Sequence, residues 1–160
     1  MSSATRRAEF FALEATEYLA ELEPLVARNE TPDLERLVRG ARSLRGAALM
    51  AGLGTFARAA AGLEAVARQV RDHALGWETQ AHAGWREGLH TLRGLVTRAT
   101  NWEAADDRQA LALADRLERV ASGRHEEAPA TPAAAATPVQ PPAPRSGLTP
   151  GVRAFIARES

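Results

Sequence analysis

Apolar residues recur with a period close to 3.6 in five successive stretches of this chain, while strand-type runs of Val, Ile, Thr and aromatics are missing. That pattern confines the fold to packed helices. The first stretch, about 6–28, sets Phe11, Ala15, Tyr18, Leu22 and Leu25 on one stripe. The second opens with Thr31 as N-cap and Pro32 at the first helical position, with Asp33 and Glu35 in the first turn. Its stripe is Leu34, Leu37, Ala41, Leu44 and Ala48, and it stops near Ala51-Gly52. The third carries Phe56, Ala60, Leu63, Ala67 and Val70 and stops around Leu75-Gly76. Ala81, Trp85, Leu89, Leu92, Val96 and Ala99 mark the fourth. Asn101 would cap the fifth, which carries Ala110, Leu113, Leu117 and Val120 and ends at Ser122-Gly123. Short connections make consecutive helices antiparallel, so the expected architecture is an all-α, up-down bundle.

Composition narrows the function. At 160 residues the length suits one domain with a proper core. Formal charge is zero, so no overall field draws the chain to nucleic acid or anionic lipid. Cys is absent, which removes disulfides, thiol chemistry and Cys-ligated metals. Met1-Ser2-Ser3-Ala4-Thr5-Arg6-Arg7 lacks the apolar stretch of a signal peptide, and no apolar run is long enough to span a membrane. The expected location is cytoplasmic.

Every one of the 20 basic residues is Arg. An Arg where relatives might use Lys therefore carries little information. His does occur, at 73, 82, 90 and 125.

After 122 the composition changes. Pro129, Pro132, Pro141, Pro142 and Pro144 interrupt an Ala-rich stretch without apolar periodicity, which reads as a semi-rigid linker over 123–147. Residues 148–160 restart a helix with Val152, Phe155 and Ile156 on one face. Phe155-Ile156-Ala157-Arg158-Glu159-Ser160 echoes Phe10-Phe11-Ala12-Leu13-Glu14-Ala15, a repeat in which the leading apolar pair of each copy would face a bundle core. The chain is thus expected to be the front of a longer protein, stopping inside a second similar module; a terminal docking peptide is the other reading.

The informative motif lies on the second stretch: Ala41-Arg42-Ser43-Leu44-Arg45-Gly46-Ala47-Ala48-Leu49-Met50-Ala51-Gly52-Leu53. With Ala41 at the centre of the apolar stripe, Arg42 falls at its edge, Arg45 near it, and Gly46 on the exposed flank. This run is similar to the "A-H-S-L-K-G-x-A-x-M-x-G-L" pattern of the histidine-containing phosphotransfer (HPt) domain, in particular the N-terminal module of chemotaxis-type histidine kinases. Leu63-Glu64 fits the family's "L-E" helix, and Phe10 to Leu19 resembles its first helix. The likeness implies an antiparallel four-helix bundle with a fifth helix over 5–122. It also implies partners, a response-regulator receiver domain or a kinase catalytic domain, and a surface made of Arg39, Arg42, Ser43, Arg45, Gly46, Leu49 and Glu64. In the family the matching Glu holds the reactive imidazole through a hydrogen bond.

One position departs from the pattern. Where the family has its phospho-acceptor His, this chain has Arg42. A neutral imidazole offers a ring lone pair to a phosphoryl group near neutral pH; a guanidinium stays protonated and has none. In-line phosphoryl transfer needs a nucleophile, and Arg42 is not one. Arg42 is instead expected to pair with Glu64.

His90-Thr91-Leu92-Arg93-Gly94 is the rival motif. It has Thr100 where the first frame has Gly52 and Ala112 where it has Glu64, so chance or a solvated flank explains it better. His73, His82 and His90 lack a carboxylate or thiol at metal-ligand spacing and read as surface residues. Trp77, Trp85 and Trp102 read as packing at the bundle ends. Arg36, Arg39, Arg42 and Arg45 step round one helix flank, either as a solvated face or as a docking surface for an acidic pocket. The chain is thus expected to be a non-catalytic, acceptor-lacking HPt-like docking module, monomeric, without metal or cofactor. The alternatives are an active module using His90, or a plain helical adaptor.

Overall fold

Each of the five periodic stretches forms a helix in the computed structural model, which describes residues 2–123. These are α1 (Ser3–Val26), α2 (Leu34–Met50), α3 (Gly54–Arg71), α4 (His82–Val96) and α5 (Ala104–Ala121). The described residues contain no strand. The linker expected over 123–147 and the module start at 148–160 lie outside the described residues, apart from Gly123.

α1 to α4 close a ring: α1 packs on α2, α2 on α3, α3 on α4, and α4 back on α1. α5 lies outside the ring against α3 and α4, so α3 is covered on several sides. This is the four-helix bundle with a fifth helix expected from the sequence. α3 answers its central place with small residues. Ala57, Ala59, Ala60, Gly62 and Ala67 are all buried beside Phe56, Leu63, Val66 and Val70. A Cβ on Gly62 would come within 2.8 Å of the Leu117 Cβ, so Gly there is what lets α5 lie this close.

Helix ends differ from expectation at three places. Asp33, not Thr31, caps α2: its Oδ1 accepts from the Arg36 amide at 3.3 Å. Pro32 therefore lies before the helix. Glu103, not Asn101, caps α5 in a capping box with Asp106, while Ala99–Asn101 form a 3-10 turn. α3 stops at Arg71, short of Leu75, because His73 takes a left-handed φ of 64° and turns the chain. A π-helical turn, Trp77–Ala81, then leads into α4.

The expected core stripes are buried except at Tyr18, Leu25, Leu34 and Val120, which are half-buried against the core, and the start of α1 needs a further correction. Phe10 and Phe11 are about 100° apart on a helix, so they cannot share a face. Phe11 is buried and meets Phe56 edge-to-face at 5.0 Å, whereas Phe10 is exposed. Trp77 and Trp85 are buried in the core. His82 is not a surface residue: half-buried at the first turn of α4, its Nε2 bonds the Val26 carbonyl oxygen at 2.9 Å and its ring lies 5.2 Å from Trp77.

α5 is pinned by two carboxylates in its first turn. Asp107 Oδ1 accepts from Trp102 Nε1 at 2.8 Å and from Thr55 Oγ1 at 2.7 Å, which ties α5 to the start of α3. These two donors hold the Asp107 carboxyl below the usual carboxylate range. Asp106 accepts from the Glu103 amide at 2.9 Å and from Arg98 Nε at 2.7 Å. Burial pushes the Asp106 carboxyl up, but the Glu103 amide and Arg98 outweigh it and the carboxyl sits low.

Candidate functional site

The geometry of the motif follows from the turn between α2 and α3. Gly52 follows the Ala51 C-cap of α2, and its φ of 79° is the left-handed conformation glycine adopts freely. The Leu53 amide donates back to the Ala48 carbonyl at 2.8 Å and the Gly52 amide to the Leu49 carbonyl at 3.1 Å, a Schellman closure. α3 then runs straight back along α2. Residues 42 and 64 both lie eleven positions from Leu53, since 53 − 42 = 64 − 53. At 1.5 Å per residue both sit about 16 Å from the turn, side by side.

Glu64 is 2% exposed. Three guanidiniums meet its carboxylate from the rim. Arg42 donates from Nε at 3.2 Å and from Nη2 at 3.0 Å, both to Oε2. Arg45 Nη1 donates to Oε1 at 2.7 Å. Arg68, one turn along α3 from Glu64, brings Nη2 to Oε2 at 2.7 Å. A buried carboxylate with no partner would cost several kcal/mol, and these arginines remove that penalty. Their own side chains remain 51%, 37% and 46% exposed, so the cluster is buried at its anion and open along its cations.

The expected pairing of Arg42 with Glu64 is thus present, and the register drawn from Gly46, Gly52 and Glu64 agrees with it. Arg68 was not anticipated. Its signal was available as the Glu64-to-Arg68 spacing of four on one helix, but nothing in the motif pointed to it.

The other candidate residues divide between two sides of α2. Arg39 and Ser43 face α1, where with Tyr18, Glu21, Leu22, Leu25, Arg36 and Gly40 they line a groove of about 260 Å³. The expected broad basic flank divides between two sides: Arg36 and Arg39 border this groove, while Arg42 and Arg45 turn toward α3. Gly46 is exposed, and a Cβ there would meet nothing within 4 Å. Leu49 is exposed one turn further on, beside Met50. Met50 and Phe10 line a small apolar cavity with Phe11, Ala47 and Ala51. Phe10, Leu13, Leu49 and Met50 are the exposed large apolar residues among those described.

His90 is exposed on α4, diagonally across the ring from α2. It borders a shallow cavity with Glu23, Val26, Ala27, Arg86, Leu89 and Arg93. Among the described residues no carboxylate bonds its ring, so nothing orients it as a nucleophile.

Position 42 thus carries a guanidinium, which has no ring lone pair, set on the buried Glu64. The cluster presents cations held on one anchor next to an open glycine and exposed apolar side chains. The chain matches the Hpt domain family over residues 8–139. No curated protein and no solved structure matches the chain significantly. A family match across most of the sequence, on a bundle of this plan, makes the chain a member of the Hpt domain family.

Proposed function

We propose that this Hpt domain has lost its phospho-acceptor and works as a non-catalytic docking or regulatory module within a chemosensory-type two-component kinase system. Hpt domains act in two-component phosphorelays with response regulators and kinases, and this much comes with family membership. The finer reading rests on one observation: at the acceptor-equivalent position, Arg42 is held on the buried Glu64. The carboxylate that would hold an imidazole holds a guanidinium instead. Arg42 has no lone pair to attack a phosphoryl group, so the relay step has no acceptor there.

The surface around Arg42 supports docking. Gly46 leaves the approach open, Arg42 and Arg45 offer positive charge to an acidic pocket, and Leu49, Met50 and Phe10 add apolar area. The partner of this reading is a receiver domain or a kinase catalytic domain, met in the cytoplasm by a monomeric module. No helix among the described residues is long and apolar enough to cross a membrane.

Calorimetric titration of the full chain with receiver and kinase catalytic domains from the same genome tests the proposal. Saturable binding that is weakened by Met50→Asp and by Arg42→Glu is the expected result. Binding insensitive to both substitutions, or absent with every receiver and kinase domain, would overturn it.

A further inference from the structure

Three guanidinium charges against one carboxylate leave two positive charges in excess at the α2–α3 rim. Among the described residues Glu64 is the sole acid paired with Arg42, Arg45 or Arg68. Arg71, one turn further along α3, shows the contrast: its guanidinium is matched by both Asp72 and Glu35 and has no charge to spare. Two surplus charges therefore sit on the three arginines that converge on Glu64.

The arrangement is also oriented. Arg42 and Arg68 share the oxygen Oε2, and Arg45 takes Oε1, so the three heads are drawn together by one anchor that is 2% exposed. Each guanidinium has five N–H donors in a planar fork. Glu64 engages two on Arg42 (Nε and Nη2), and one nitrogen each on Arg45 and Arg68. The remaining donors stay at the half-exposed tips. Fixed forks around a positive rim suit a compact tetrahedral oxyanion better than a planar carboxylate, which one fork would satisfy. The two surplus charges match a phosphoryl dianion, which carries close to two negative charges near neutral pH.

We propose that Arg42, Arg45 and Arg68, anchored by Glu64, form a non-covalent phosphoryl-binding site that selects the phosphorylated form of a docked receiver domain over the unphosphorylated form. The inference rests on the docking reading for its partner, and on the arginine cluster alone for its ligand chemistry. A phosphoryl carried on the receiver's carboxylate enters beside Gly46, where an added Cβ would meet nothing within 4 Å. No bond to phosphorus forms or breaks. The module reads the phosphorylated state and leaves the group where it is.

Two measurements on the full chain separate the two layers of the proposal. In the first, inorganic phosphate is titrated at constant ionic strength and the Arg Nε–Hε resonances are followed by NMR. Saturable shifts at Arg42, Arg45 and Arg68, in the millimolar range, are expected, with none at Arg58 or Arg86 and none when nitrate replaces phosphate. Equal response of all exposed arginines, or no saturation, would overturn the site. The second measurement compares binding of one receiver domain before and after phosphorylation by acetyl phosphate. The phosphorylated form should bind about tenfold more tightly, and the ratio should fall toward one in Arg68→Gln and Arg45→Gln. Equal affinity for both forms would sink the selectivity while leaving docking intact. Failure of both forms to bind would sink the docking reading, and the phosphate titration would still decide the site.

Discussion

Glu64 and Asp106 are the two buried acids of the described bundle; each holds a half-exposed arginine, but only Asp106 also accepts from a backbone amide. Asp106 belongs to the backbone of its own turn. It accepts from the Glu103 amide as well as from Arg98, and it closes the capping box that starts α5. Glu64 accepts from side chains alone, all of them arginines whose heads lie at the surface. A backbone amide cannot turn outward to meet a partner, but a guanidinium can. Burial and charge look alike at the two sites, so the identity of the donor is what separates an acid that fastens a helix from one that presents cations.

The largest expected effect breaks that contrast from the Glu64 side. Replacing Arg42, Arg45 and Arg68 together by Ala leaves a buried carboxylate uncompensated and should cost about 3–5 kcal/mol of stability by urea denaturation. Adding Glu64→Met to that triple variant should recover most of the loss, because an apolar side chain of similar size fills the space. No recovery would mean that the arginines stabilise the bundle by packing rather than by answering the charge.

A second expectation concerns the acids of α5 and the sign of their pH dependence. Asp106 and Asp107 both titrate below the ordinary carboxylate value. Their stabilisation is therefore fully present above the unfolded pKa of about 3.9 and is lost as pH falls through the lower folded values. Asp107→Asn should lower Tm at pH 7. The gap from wild type should stay constant down to about pH 5 and close in more acid solution. A gap that widened on acidification would contradict the hydrogen-bond assignment to Trp102 and Thr55.

Arg42→Ala alone should have the smallest effect, about 0–1 kcal/mol, since Arg42 is half exposed and Arg45 and Arg68 remain on Glu64. A larger loss would show that the three cations do not substitute for one another.

Most of the bundle was legible because helical periodicity is a statement about burial. Phe56, Ala60, Leu63, Ala67 and Val70 were placed on one face by spacing and are all buried. The Arg42–Glu64 contact was legible because Gly52 fixes a tight turn midway between the two. Helix starts were read less well, since Thr31 and Asp33 are both good caps and only the backbone decides between them. Arg68 could not be weighed, because its role depends on Glu64 being buried, which a single helix does not reveal. The apolar surface at Phe10, Leu49 and Met50 was missed in part for a similar reason: adjacent residues on a helix face different ways, and a Phe pair looks like core until the helix is oriented.

The central claim is that this Hpt domain binds without accepting a phosphoryl group, and a phosphotransfer assay tests it directly. The full chain is incubated with a competent kinase catalytic domain, a receiver domain and radiolabelled ATP, and acid-labile label on the chain is counted. The account predicts no label on wild type and its appearance on Arg42→His, where Arg45, Gly46 and Glu64 would surround an imidazole. Acid-labile label on wild type that disappears in His90→Gln would contradict it, placing the acceptor on α4.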